Sequence, residues 1–490
     1  VDSSASELHS TRATPEAAQG GRRARTQGQG NRDQGERGPK RDFDARSGDS
    51  GDGGRPRSSS APEPTRYTGL IARDRVDQDA AKVVKRLTRA GHQAYLVGGG
   101  VRDLLLGQKP KDFDIATSAR PHEVRALFRN CRVIGRRFRL AHVLFSGGKI
   151  IEVATFRRDP RDGDAPANAI EDEDGVRLVP APRTVDEDTD LLIRHDNAFG
   201  EPHEDALRRD FTINGLFYDL ERDEVIDYVG GVRDVRARVV RTIGDPAIRF
   251  REDPIRILRA IKFCARLDLG LDPELYDALI DQRKSVGRAS PPRTFEEILR
   301  LLRGGAAHRS FYLLWDSGLL SLLIPELSAY LDDVGDAGIV VFRRLCEIDK
   351  LAARGELPGD AILLSVLLQS PAEEYMEGER DPALAFDAFA EEMAIRFTVP
   401  RRIRERMRLL LAVQKRLREN KVQNLSRREF FGDAALLHGL DCQARGVKAP
   451  VWAFDVSRYV DAGQKGQGKG SNGKAKGADA RAPAREQNKP

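Results

Sequence analysis

Asp112 and Asp114 stand two apart in Lys111-Asp-Phe-Asp-Ile-Ala-Thr117, shortly after Gly98-Gly99-Gly100. Tyr95-Leu-Val97 reads as an apolar strand entering the glycines, and Val101-Arg102-Asp103 opens a helix behind them. Side chains alternate along a strand, so Asp112 and Asp114 are expected on one face, with Phe113 and Ile115 turned to a core. Gly98 and Gly99 let the backbone approach a phosphate, and a helix N-terminus favours its charge. Arg102 adds a bidentate donor. Two carboxylates beside such a turn suit a nucleoside triphosphate with a pair of Mg²⁺ ions, one at an attacking hydroxyl and one at leaving pyrophosphate. Three glycines alone make an ordinary turn, and a lone Asp-x-Asp is usually a surface feature. Their close succession points to nucleotidyl transfer.

A third carboxylate has two candidates. Glu152 lies in Ile150-Ile-Glu-Val-Ala-Thr-Phe156, an otherwise apolar strand in which a charge needs a partner, either a metal or an arginine such as Arg157. Asp210 lies in Arg208-Arg-Asp-Phe-Thr-Ile-Asn214 and could serve the metals or a ribose hydroxyl. Arg208 and Arg209 suit triphosphate or ribose contacts. Further on, Asp253 and Pro254 suit a helix start, and Ile257, Leu258, Ile261 and Cys264 form its apolar stripe. Arg256 and Arg259 take another face. Asp253 and Arg256 are spaced to work together, reading the edge of a base or simply capping a basic helix.

The elements around these residues divide the chain. Residues 1–66 are polar and rich in Gly, Ser and Arg, and residues 462–490 form a Gly/Lys tail. Both read as disordered arms, because neither can bury enough surface to offset ordering. Residues 67–232 alternate helical and strand patterns. They include a hairpin signal, 141–145 and 150–156 around Ser-Gly-Gly-Lys, followed by a long acidic loop at 157–196. Residues 233–310 and 311–461 read as helical. A basic stretch from Pro400 through Arg428 is either a contact for RNA phosphates or a solvated helix face.

The chain has 490 residues, 40% hydrophobic and 32% charged, with a net charge of +6. That length supports several cores, and the mild basicity is compatible with a nucleic-acid partner. No apolar run approaches the roughly 18 residues of a membrane span. Neither a signal-peptide core nor a CxxC pair occurs, so the four cysteines fit a reducing cytoplasm.

Taken in order, Leu96-Val-Gly-Gly-Gly-Val-Arg-Asp103, Asp112-Phe-Asp114, Arg208-Arg-Asp-Phe-Thr-Ile-Asn214 and Glu252-Asp-Pro-Ile-Arg256 resemble the motifs of class II nucleotidyltransferases. That group holds bacterial poly(A) polymerases and tRNA CCA-adding enzymes. The resemblance implies an α+β chain: a polymerase-β-like head, then all-helical neck, body and tail, with disordered termini. It implies Asp112, Asp114 and Asp210 as catalytic carboxylates, Gly98, Gly99, Arg102 and Asp103 at the phosphates, and Asp253 and Arg256 at the base. Asn130 through Val143, with Arg-Arg-Phe-Arg-Leu at 136–140, is similar to the poly(A) polymerase branch. The expected substrates are therefore ATP and RNA 3′ ends, with the RNA-degradation machinery as a possible partner. The rivals are a CCA-adding enzyme and an inactive RNA-binding protein. All the carboxylates are present, which argues against the latter.

Overall fold

A computed structural model describes residues 62–135, 139–158, 170–171, 177–178 and 198–454. The arms at 1–61 and 455–490, most of the acidic loop and Arg136-Arg-Phe138 lie outside the described residues. An eight-stranded sheet carries the head. Its strands are β1 (Thr65–Thr68), β2 (Ala94–Val97), β3 (Asp114–Thr117), β4 (Cys131–Ile134), β5 (Leu140–Leu144) and β6 (Ile150–Thr155). After a separate ribbon of β7 (Ile170–Glu171) and β8 (Arg177–Leu178) come β9 (Leu216–Asp219) and β10 (Glu224–Asp227). The spatial order is β1-β10-β9-β2-β3-β6-β5-β4. Within this sheet, among the described residues, only the β3–β6 pair is parallel. The hairpin signal is realised as β5 and β6. The sheet begins inside the expected N-terminal arm, since Thr65 and Arg66 already pair with Asp227 and Ile226.

The two faces of the sheet are covered differently. α1 (Gln78–Arg89) starts at Asp77, whose carboxylate accepts from the backbone N–H groups of Asp79 and Ala80 at 2.9 and 3.0 Å. Its stripe Ala80, Val83, Val84 and Leu87 is buried, and the helix packs on β2 and β3. Leu96, Ile115 and Val153 belong to this core. α2 (Gly99–Leu105), α3 (Pro121–Leu127) and α4 (Pro202–Leu207) follow. Ala206 of α4 closes a smaller cluster on the other face, with Val97, Ala116, Phe156 and Phe217. By alternation Asp114 shares that second face with Ala116.

The chain beyond is mostly helical; the expected all-helical neck also holds a short parallel pairing of β11 (Val239–Val240) with β12 (Gly270–Leu271). α5 (Gly231–Ala237) and α6 (Pro246–Glu252) lead to α7 (Ile255–Leu267), whose apolar stripe is buried. α8 (Pro273–Gln282) and α9 (Pro291–Arg303) complete the neck, and further helices run to Phe431–Ala444. Among the described residues no helix is long and apolar enough to cross a membrane.

Candidate active site

The glycine turn ends β2 and fixes where β3 can begin. Gly98 has φ +66° and ψ −129°, a conformation open essentially to glycine, and it turns the chain into α2. Pairing between the strands therefore stops at Val97 and Asp114. Asp112 was expected on the strand with Asp114; it lies instead in the approach to β3, because β2 offers no residue beyond Val97 to pair with it. Gly100 is needed for a different reason: a Cβ there would meet the Asp112 carbonyl oxygen at 3.3 Å and the Phe113 ring at 3.5 Å. The turn and the Asp-Phe-Asp segment are thus packed directly together.

Glu152 is the register partner of Asp114 on parallel β6. In-register neighbours project to the same face, so two carboxylates stand side by side. Glu152 is half-exposed, and the His142 imidazole lies 3.6 Å from its carboxylate. Asp114 is exposed at the strand start. Loss of solvation, then the charges of Glu152 and Asp112, outweigh Arg209 and push its carboxyl up to about 6. The three acids form an oxygen-only, mutually repelling set that a hard divalent cation would relieve. Among the described residues no three acidic, His or Cys groups close a ready-made metal cage. That is still compatible with Mg²⁺, which takes one or two carboxylates and completes its shell with phosphate oxygens and water.

Arg209 supplies the positive charge opposite these acids. Its guanidinium donates to Asp205 Oδ2 at 2.8 and 3.2 Å and to the Asn214 carbonyl at 3.1 Å, over the Phe217 ring. A Cβ on Gly98 would lie 3.0 Å from Arg209 Nη1, so glycine turn, arginine and carboxylates form one rim. Asp205 also binds Arg208 at 2.8 Å and accepts from the Arg157 backbone N–H at 3.2 Å. Burial opposes its ionisation, but Arg209 and Arg208 overrule it and hold the carboxyl below the usual range. Sequence reading passed over Asp205. Its spacing, three and four residues ahead of Arg208 and Arg209 on one helical turn, was the available signal.

Replacing Gly98 by Ala is expected to cost about 1–3 kcal/mol of backbone strain and to displace Arg209. A lowered melting temperature together with reduced nucleotide incorporation is the expected result; parity with the unsubstituted protein would show that the turn is not tied to the rim.

Other expected site residues lie beneath the rim. Arg102 and Asp103, expected at the phosphates, are 3% and 4% exposed and lie against the underside of the turn. Arg102 donates to Asp103 Oδ1 at 2.6 and 2.8 Å and to Asn214 Oδ1 at 2.6 Å, and stacks over Phe263. Asn214 donates to Asp210 Oδ1 at 3.1 Å, and Arg259 of α7 binds Asp210 Oδ2 at 2.6 and 2.7 Å. Burial alone would raise the Asp210 carboxyl. Arg259 first, then hydrogen bonds from Asn214 and the Phe211 N–H, keep it down at about 2. Arg266 reaches Asp103 at 3.7 Å. Lys262 pairs with Glu297 at 2.7 Å, and burial and Arg259 lower its ammonium to about 8. This buried chain of charges joins α2 to the neck.

Asp253 and Arg256 are held by different partners. Asp253 accepts from the Ile255 N–H at 3.3 Å and binds Arg293 at 2.9 Å. Arg256 is buried, donating to Glu252 and to the Arg249 carbonyl at 2.9 Å each. Arg249 in turn binds Glu252 at 3.0 Å and the Arg208 carbonyl at 2.8 Å, with a further bond to the Arg209 carbonyl. In the basic stretch near the C-terminus, Arg401, Arg406, Arg408 and Arg418 pair with Glu405, Asp433, Asp387 and Glu373. Part of its charge is therefore spent within the fold.

Residues 94–241 match the family described as the poly A polymerase head domain. Residues 268–331 match a probable RNA- and SrmB-binding site of polymerase A. Poly(A) polymerase I of Salmonella typhimurium is 40% identical over 327 residues, 66% of this chain and 67% of that protein. Its Escherichia coli O6:H1 counterpart is 46% identical over 267 residues, about half of each chain (54%). Among solved structures, the CCA-adding enzyme of Bacillus stearothermophilus in complex with CTP is similar at 26% identity and a TM-score of 0.55, covering 79% of this chain and 82% of that one. The head match around the rim and the 40% identity across two thirds of the Salmonella protein lead to one assignment: this chain belongs to the bacterial poly(A) polymerases, a nucleotidyltransferase family of class II.

Proposed function

We propose that the rim transfers AMP from ATP to RNA 3′ ends, without a template and repeatedly. The observation that carries this reading is the in-register pair Asp114–Glu152, with Asp112 beside it and Arg209 opposite. The RNA 3′-hydroxyl attacks the α-phosphorus of ATP. A new P–O bond forms, the bond to the bridging oxygen breaks, and pyrophosphate leaves. Asp112, Asp114 and Glu152 are the residues that would hold Mg²⁺, which supplies charge neutralisation at the phosphates and a more acidic 3′-hydroxyl. Gly98 and Gly99 give the triphosphate a close backbone surface. Arg209, fixed by Asp205, stabilises the charge that develops on the phosphoryl oxygens, with Arg208 behind it.

In this reading Asp210 acts through Arg259 and Asn214 as a positioning residue. Arg102 and Asp103 likewise support the turn from below. Asp253 and Arg256 remain the base-reading pair, held by Arg293 and Glu252. The head at 67–232 carries the chemistry, the neck at 233–310 selects the nucleotide, and the body at 311–461 docks RNA. A cytoplasmic setting fits the free cysteines, and the RNA-degradation machinery is a further proposed partner.

A second reading, CCA addition to tRNA, draws on the structural likeness to the CTP-bound relative. Primer extension separates the two. Purified protein, Mg²⁺ and each NTP singly are mixed with a generic single-stranded RNA or with tRNA lacking its CCA end. A long ladder with ATP alone on the generic RNA is expected, and the Asp112→Ala variant should give none while still binding RNA. Two CMPs and one AMP, confined to the tRNA, would establish the rival.

A further inference from the structure

The outward face of α1 carries a cluster of four cations, of which only Lys82 has an acidic partner among the described residues. Lys82, Lys85, Arg86 and Arg89 line a surface concavity of about 390 Å³. They are spaced three and four apart, so each is the helical neighbour of another like charge, an arrangement that destabilises a helix unless an anion relieves it. Lys82 has Asp79 at 2.9 Å. Asp79 and the capping Asp77 are also claimed by Lys149, at 3.0 and 2.5 Å. Arg86 rests over the Phe128 ring. Complementing the helix dipole accounts for Arg86 and Arg89 in the last turn, but not for Lys82 and Lys85. The C-terminal basic helix presents the opposite case, since several of its arginines have acidic partners in the fold.

α1 packs on the sheet face that holds Leu96 and Ile115, whereas Asp114 shares the other face. The concavity is thus separated from the carboxylates by the sheet and by a helix about 10 Å across. A nucleotide in the active site does not reach it. We infer that this face of α1 is a docking surface for the phosphates of RNA upstream of the reacting 3′ end. The inference rests on the reading that RNA is the substrate. Four cations in two turns suit a ligand with regularly spaced single charges. A strand already held by its 3′ end also meets this face at high effective concentration, an advantage a separate acidic protein lacks.

The test uses the full chain carrying Lys85→Glu and Arg89→Glu, two exposed residues outside the active site. Binding of oligoadenylates of roughly 8 and roughly 40 nucleotides is measured across salt concentrations, bracketing the size of one single-strand site. An unchanged melting curve and unchanged AMP addition to the short RNA are expected. The long RNA should bind about tenfold more weakly, with its log–log salt slope reduced by about 1.4, or 0.7 for each of two lost phosphate contacts. Unaltered affinity and slope for the long RNA would overturn the inference and leave the face to solvent or to an acidic protein. Equal weakening at both lengths would also overturn it, as a general field effect. If the unsubstituted protein adds no AMP to either RNA, the RNA reading itself fails, whatever the groove does.

Discussion

Asp114→Asn is expected to abolish AMP incorporation, by about 10³-fold or more, while making the ligand-free protein more stable at neutral pH. Both effects come from one observation. Although Asp114 keeps surface open to solvent, partial loss of solvation, its register partner Glu152 and nearby Asp112 push its carboxyl up from 3.8 to about 6. A group whose folded pKa lies above its unfolded value is costly to the fold when ionised. The folded protein takes up the proton first as pH falls from about 6 through 3.8, and the cost disappears. The variant should therefore melt higher than the unsubstituted protein above pH 6, and the gap should close by pH 4. Melting curves in chelator across that range test the thermodynamic half, and primer extension tests the catalytic half. A variant that melts lower at pH 7, or that still extends primers, would falsify the carboxylate cluster. The same sign appears in the metal dependence: added Mg²⁺ should stabilise the unsubstituted protein more than Asp114→Asn.

Asp205→Ala should be the most damaging change that removes none of the expected metal ligands. Asp205 is 2% exposed and holds two guanidinium groups. Removing one member of a buried ion pair typically costs about 3–5 kcal/mol, because the partner charge is left uncompensated. Here two partners lose their anchor together. Arg209 would leave the carboxylate rim, and misplacement of that order can reduce turnover about 10²-fold. Asp205→Asn keeps the shape and one acceptor, so it should recover part of the stability and little of the activity. Wild-type melting and turnover in Asp205→Ala would show that Arg209 is held by Asn214 and Phe217 alone. Asp205 and Asp210 also predict where acid acts. Both carboxyls are depressed, so their contribution is present above pH 3.8 and is lost as pH falls, for Asp210 through about 2.

The sequence was most informative where chemistry and local geometry coincide. β2, α7 and the β5–β6 hairpin follow their patterns closely, because apolar periodicity and turn residues decide them locally. Asp112 fell off the strand for a reason that involves a second segment: β2 ends at Val97, so β3 has no earlier partner. The roles of Arg102, Arg256 and Arg259 were harder to read. Each looks from its spacing like a free ligand donor, yet each is committed to a carboxylate: Asp103, Glu252 and Asp210. The Asp210–Arg259 pair joins residues 49 positions apart and the Asn214–Arg102 contact joins residues 112 apart, beyond any local pattern. The poly(A)-type segment at 136–138 lies outside the described residues, so its part in substrate choice is left to the primer-extension assay.

The links between head and neck also have a mechanical consequence. Arg249 grips the carbonyls of Arg208 and Arg209, Arg259 grips Asp210, and Arg266 faces Asp103. Parting head from neck would break all of these contacts together. The placement of Arg208, Arg209, Asp210 and Asp103 thus depends on α6 and α7, so a change in those helices is felt at the rim without touching it.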